Sequence, residues 1–216
     1  MKKLIAFDVE GVIFKHHNFW MELHKAFGTL EEGAELTKKY LTTNYDKLVQ
    51  EVIGRLWKGK PAKPYFDLIA NHEYVDGAKE TFNELRKLGH TTMLISAGPY
   101  DLALRAKKEF GVDYIFANRL PIENGNVVGT SEMGYWRIRN DSKVEPFEEI
   151  RTNLRLDGGK VVAVIHDKND IKLAKHVKSI GGEVIGFMFE SHPEVEENCT
   201  KIVRSKNLTD ILVHIN

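Results

Sequence analysis

Two carboxylates, Asp8 and Glu10, stand at the downstream end of an apolar run, Lys3 to Phe14, KLIAFDVEGVIF. Other polar groups occupy comparable places: Ser96, with Ala97 and Gly98, after the apolar stretch 91–95, and His166, Asp167, Asn169 and Asp170 after 161–165. Lys143 precedes the helix that leads to this last cluster. Carboxylates around a hard cation such as Mg²⁺, with hydroxyl, backbone N–H and ammonium donors opposite, make a phosphate site. An aspartate beside Mg²⁺ can attack phosphorus and form an acyl phosphate, which water later hydrolyses. A second carboxyl two residues on can protonate the leaving oxygen and then activate that water. The helix beginning near Pro99 could point its N-terminus at the phosphate, with Gly98 letting the backbone approach.

The elements that must position these groups can be read from apolar spacing. Four to five apolar residues before Asp8 read as a buried strand, and Gly11 frees the backbone to turn. Carboxylates buried unpaired at a strand end are costly, whereas the carboxyl ends of the strands in an open parallel sheet are where ligands bind. Residues 15–75 instead space their apolar side chains helically: Phe19, Trp20, Leu23 and Phe27, then Leu36, Tyr40 and Leu41, then Leu48, Val49, Val52, Ile53, Leu56 and Trp57. Breaks at Gly28, Gly33 and the 59–64 segment GKPAKP divide this into three or four helices, with Phe19, Trp20 and Trp57 in their core. From Asp76 onward strands and helices alternate: a helix over 77–88, a strand over 91–95, a helix from Pro99 to Phe110, a short strand over 113–116. A hairpin follows over 120–128 around Asn124-Gly125, then a helix over 145–156, a central strand at 161–165, and signals at 183–189, 201–203 and 208–213. The expected class is therefore α/β, an open, mostly parallel, Rossmann-like sheet with an inserted α-helical cap. The core comprises 1–14 and 75–216, and the cap 15–74.

Bulk composition narrows the function. The chain has 216 residues with 42% hydrophobic content, enough for one α/β core with an insertion. Its 31 Lys plus Arg balance 31 Asp plus Glu, so neither nucleic acid nor an anionic membrane is indicated as a partner. Cys199 is a single cysteine, so no internal disulfide can form, and no tetrad of Cys and His has zinc spacing. The N-terminal apolar run is too short for a signal sequence, and a cytoplasmic location is expected.

Several segments, in order, resemble the haloacid dehalogenase superfamily and, within it, the phosphoserine phosphatase branch. DVEGV at 8–12 is similar to the first motif, ISAG at 95–98 to the second, and VAVIHDKND at 162–170 to the metal motif. GVDYIFANRL at 111–120 and VDGAKETFNELRKLGH at 75–90 resemble the segments that flank the second motif in that branch. The resemblance implies a Mg²⁺-dependent hydrolase of a small phosphorylated metabolite, working through an aspartyl-phosphate. By position, Asp8 matches the nucleophile and a metal ligand, and Glu10 the acid and base whose carbonyl also binds metal. Ser96, with Ala97 and Gly98, and Lys143 match phosphate-binding positions, and Asn169 and Asp170 match the end of the metal motif, Asn169 as a substrate contact and Asp170 as a metal ligand.

Two departures accompany the match. Glu10 stands where most relatives have aspartate. Aligned without gaps, the metal-binding aspartate of the family falls on His166 and its glycine on Asp167. Histidine is a poor Mg²⁺ ligand, so a one-residue slip that brings Asp167 to the metal is expected, with His166 the competing position. The cap also lacks an acidic residue just after the first motif, where Lys15, His16, His17 and Asn18 stand instead. His16 and His17 are candidate substrate contacts. Phosphotransfer to a small alcohol would use the same residues, whereas a relative whose metal motif has decayed at His166 would only bind a phosphate compound. The substrate and the oligomeric state stay open.

Overall fold

The computed structural model describes residues 2–15, 18–129, 138–139, 142–190 and 192–215. The apolar run forms β1 (Leu4–Phe7), whose side chains alternate, Ile5 and Phe7 packing on one face of the sheet and Leu4 and Ala6 on the other. Helices α1 (Phe19–Ala26), α2 (Leu30–Tyr40), α3 (Tyr45–Glu51) and α4 (Lys63–Asn71) follow, with a π-helical segment, Val52–Trp57, continuing α3. The chain then runs through α5 (Ala78–Lys87), β2 (Thr91–Pro99), α6 (Tyr100–Phe110) and β3 (Tyr114–Asn118). A hairpin of β4 (Ile122–Glu123) and β5 (Asn126–Val127) precedes α7 (Val144–Asn153), β6 (Val161–Ile165) and α8 (Ile171–Ser179). Last come β7 (Glu183–Phe187), the short α9 (Pro193–Glu196), β8 (Lys201–Val203) and a 3-10 segment, Leu208–His214.

Six of these strands form one parallel sheet in the order β3-β2-β1-β6-β7-β8. Strand order reverses between β1 and β6, and the crevice outside their carboxyl ends is where such sheets bind ligands. Leu4 pairs with both Thr91 and Val161, and the Asp8 N–H donates to the Val164 carbonyl at 3.0 Å. This register delivers Asp8, Ser96 and His166 to the same edge.

Several boundaries differ from the sequence expectation. β2 runs on to Pro99, which has an extended backbone and pairs with Asn118, so α6 starts one residue later. The 208–213 signal is a 3-10 segment that buries Leu208 and Ile211, a three-residue spacing that this winding places on one side. Asn124 and Gly125 take the positive φ values, 49° and 76°, that the hairpin turn needs.

The inserted helices have no separate core. Phe19, Leu23, Val49, Ile53, Trp57 and Tyr65 belong to the same apolar cluster as Ile5, Phe7 and Leu94 on one face of the sheet. Backbone hydrogen bonds between Gly59 and Val127, Ala62 and Gly125, and Val127 and Lys60 also join the insertion to the hairpin, across the expected boundary. The apolar pairs Leu48-Val49, Val52-Ile53 and Leu56-Trp57 recur every four residues. Over four residues an α-helical stripe drifts by about 40°. The wider π winding from Val52 reduces that drift and keeps Val52, Ile53 and Trp57 facing inward.

Gly33, expected as a break, lies inside α2 and is buried. A Cβ there would stand 2.2 Å from the His24 ring, so the glycine exists to let α1 and α2 approach, not to end a helix. A test follows from opposing effects. Alanine in a helix is favoured over glycine by about 1 kcal/mol, but overpacking a core costs about 1–3 kcal/mol. Gly33→Ala should therefore lower the urea midpoint. Gly54→Ala, where nothing lies within 4 Å of the added methyl, should leave it unchanged or raise it.

Candidate active site

Three loops leave the switch point and meet over one cavity of about 230 Å³, lined on its sheet side by Asp8, Glu10, Ser96, Ala97, Gly98, Lys143, Asp167 and Asn169. Lys143, at the start of α7, is 3% exposed and donates at 2.6 Å to both Asp8 Oδ1 and Asp170 Oδ1. Asp170, 1% exposed, uses its other oxygen to accept the N–H groups of His166 and Asp167, each at 3.1 Å. One lysine thus joins the end of β1 to the turn after β6.

Glu10 is fastened from the other side. Its Oε1 accepts the N–H of Phe19, the first residue of α1, at 2.8 Å. Its Oε2 lies over Gly98, where a Cβ would stand 2.8 Å from it and 3.1 Å from Ser96 Oγ. Ser96 Oγ accepts the Gly98 N–H at 2.9 Å and does not cap α6, whose cap position is Pro99. The Ala97 carbonyl accepts from Trp20 Nε1 and Asn118 Nδ2, both at 3.0 Å, which holds the 96–98 turn in place.

His166 does not line the cavity. Its ring packs where a Cβ on Gly11 would lie 2.2 Å away, and its Nδ1 pairs with the Phe187 carbonyl oxygen at 3.0 Å. Gly11 is needed twice, for this packing and for its φ of +86°. Asp167, one residue on, lines the cavity and also caps the 3-10 turn Lys168–Asp170 in a reciprocal capping box with Asp170.

A family model described as haloacid dehalogenase-like hydrolase matches residues 2–178. The chain belongs to the haloacid dehalogenase-like hydrolases. Over 217 residues it is 28% identical to a phosphoserine phosphatase of Methanocaldococcus jannaschii, covering 99% of this chain and 98% of that one. A phosphoserine phosphatase of Archaeoglobus fulgidus is 31% identical over 172 residues, covering 78% of this chain and 48% of that one. Among solved structures, a substrate-bound phosphoserine phosphatase complex superposes with a TM-score of 0.81 at 26% identity, covering 100% of this chain and 99% of that one. A phospho-aspartyl intermediate analogue of phosphoserine phosphatase gives 0.80 at the same identity. This hydrolase is a phosphomonoesterase of the phosphoserine phosphatase-like branch.

The electrostatics of the hydrolase follow from burial. Loss of solvent and the Asp170 charge push Asp8 up to about 7 against the pull of Lys143. Burial also raises Glu10, opposed by the Phe19 N–H and by Lys143. For Lys143 burial works against the charge, yet Asp170 and Asp8 together hold it above the ordinary lysine range.

Of the residues expected to act, Asp170 is buried behind the cavity lining, next to Lys143. Its Oδ1 accepts from Lys143 and its Oδ2 from the two backbone N–H groups, because its turn folds back on the carboxylate, so most of its accepting capacity is used within the protein. Trp20, expected in the core, is half-buried and lines the cavity. Asn118, fully buried, was not singled out from the sequence. Its signal was an asparagine within an otherwise apolar strand, and its side chain ties Ala97 to Ile138. His16, His17 and Arg137, which neighbours Lys143 in sequence, lie outside the described residues.

Removing the ammonium would leave two buried carboxylates facing each other, and breaking a buried pair costs about 3–5 kcal/mol. Lys143→Met should therefore lose stability on this scale in urea unfolding. The double variant Lys143→Met/Asp170→Asn should recover part of it.

His24 yields a pH prediction. Buried beside Trp57, it is lowered by desolvation from 6.5 to about 4. A depressed histidine leaves the unfolded chain binding the extra proton, so its share of stability is present at pH 7 and is lost as pH falls from 6.5 toward 4. Between pH 7 and pH 5 this amounts to about 2 kcal/mol. Urea midpoints at the two pH values should show this loss in the wild type and a smaller one in His24→Phe.

Proposed function

We propose that this hydrolase cleaves a small phosphomonoester with Asp8 as the nucleophile and Glu10 as the proton carrier. The observation that carries the reading is the convergence of Asp8, Glu10, Ser96, Gly98, Lys143 and Asp167 on one cavity. The Asp8 oxygen not bound by Lys143 attacks phosphorus, and the bond from phosphorus to the ester oxygen breaks. Glu10, whose pKa is raised by burial, donates its proton to that oxygen, so the alcohol leaves neutral. Glu10 then takes a proton from a water molecule that attacks the aspartyl-phosphate, releasing phosphate and regenerating Asp8. Throughout, Lys143 balances the charge on Asp8 and has one of its three donors left for a phosphoryl oxygen. Ser96 accepts from Gly98, so its hydroxyl proton is available to the phosphate, with the Asn169 amide on the same lining. Asp170 acts as a positioning residue through Lys143.

The donor chemistry fits Mg²⁺. Three carboxylates, Asp8, Glu10 and Asp167, face the cavity while the imidazole of His166 is turned to Phe187. Mg²⁺ favours oxygen and is commonly held by one or two carboxylates together with waters and substrate phosphate. Asp8 and Asp167 would hold it, with the Glu10 carbonyl as the further expected ligand. When bound, it would keep Asp8 ionised and offset the charge of the phosphoryl group. The substrate is a small phosphorylated metabolite, and no described helix is long and apolar enough to cross a membrane.

Hydrolysis of 4-nitrophenyl phosphate should vanish on chelation, return with Mg²⁺, and fall by about 10³-fold or more in Asp8→Asn. Wild-type turnover by that variant would sink the nucleophile assignment. Calorimetric titration should show Mg²⁺ affinity weakened at least about tenfold in Asp167→Ala and little changed in His166→Asn. The reverse pattern would return the metal role to His166.

A further inference from the structure

Above the charged end, the cavity is closed by the inserted helices, and these walls differ in kind from its floor. Trp20, Met21, Leu48, Val49, Ile53 and Trp57 line them. No charged side chain from the insertion is found among the described lining residues. The polar ones are uncharged. Thr37 donates its hydroxyl to the Gly33 carbonyl at 2.8 Å. His24 Nδ1 is taken up by Thr29 Oγ1 at 2.8 Å and the Trp57 indole N–H at 3.2 Å, and burial disfavours the charged ring. Asn18 caps α1, and the Tyr45 phenol is neutral at physiological pH. The nearby charges are spent outside the lining: Arg139 lies over the Tyr45 ring and pairs with Asp46 at 2.7 Å, and Lys15 pairs with Glu73 at 2.6 Å.

From this geometry we infer that the alcohol released by the enzyme is uncharged and mainly apolar, a phosphate ester of an aryl or branched-alkyl alcohol and not of an amino acid. The inference rests on the phosphomonoesterase reading and specifies the part of the substrate that the chemistry at Asp8 leaves open. A substrate such as phosphoserine brings an ammonium and a carboxylate into the space between floor and walls. On the described walls each would lose water and find no counter-charge, the charged groups of the lining all lying at the phosphate end, and buried charges without partners are strongly disfavoured. An aryl or branched-alkyl body instead covers the half-buried Trp20, with the Trp57 ring packed behind it at 6.0 Å, and displaces water from aliphatic side chains.

The test compares the Mg²⁺-loaded wild type on benzyl phosphate, 3-methylbutyl phosphate and O-phospho-L-serine, scored by kcat/KM. Benzyl and 3-methylbutyl phosphate should exceed phosphoserine by about 100-fold or more, the scale on which an ill-matched pocket rejects a substrate. Phosphoserine turned over as efficiently as either would overturn the inference while leaving the phosphatase reading intact. A second arm measures binding to Asp8→Asn by calorimetry with the same esters and with inorganic phosphate. Benzyl phosphate binding at least about tenfold tighter than both phosphoserine and inorganic phosphate supports the apolar site; equal binding overturns it. Should no ester be hydrolysed by the wild type, the hydrolytic reading falls, and the binding arm alone decides the class of ligand.

Discussion

The site depends on a buried ammonium shared between two buried carboxylates. Lys143 lies between Asp8 and Asp170, and each partner comes from a different element: the end of β1, the start of α7 and the turn after β6. Charges this deeply buried are tolerated only when paired and hydrogen-bonded, so the three segments cannot shift independently. The balance is incomplete, with two carboxylates and one ammonium. Burial first and then that residual negative charge raise Asp8, and it is this charge that a cation at the cavity would balance.

The turn after β6 shows how one loop can serve both packing and chemistry. Asp170 gathers two backbone N–H groups, which closes the turn tightly and commits its carboxylate to structure. The same closure directs the His166 ring sideways, onto Gly11 and the Phe187 carbonyl, and leaves Asp167 on the cavity wall. A histidine at 166 is then compatible with an oxygen-lined site because its ring is not in it.

The inserted helices are coupled to the sheet more closely than a separate lid would be. They share an apolar cluster with the sheet face, and the β4–β5 hairpin is hydrogen-bonded to residues 59–62. Trp20 and Phe19 reach across the entrance, one to the Ala97 carbonyl and the other to Glu10. Any opening of the cavity must therefore break contacts that also hold the reacting groups, which links access to the site with its organisation.

Much of this was legible in the chain itself. The unbroken apolar runs before Asp8, Ser96 and His166 mark buried parallel strands, because only a strand covered on both faces can dispense with polar alternation. The alternation of strands and helices, and the Asn-Gly turn, are local signals and were read correctly. Tertiary structure decided what depends on partners distant in sequence. Gly33 reads as a break but serves helix packing, since its meaning lies in the His24 ring across from it. Whether His166 or Asp167 faces the cavity follows from a turn held by Asp170 and from the space that Gly11 leaves, neither of which a motif alignment contains. The apolar character of the cavity arose in the same way: the pairs at 48–57 could be assigned to a core from their spacing, but only the assembled helices show that part of this core is the wall of the site.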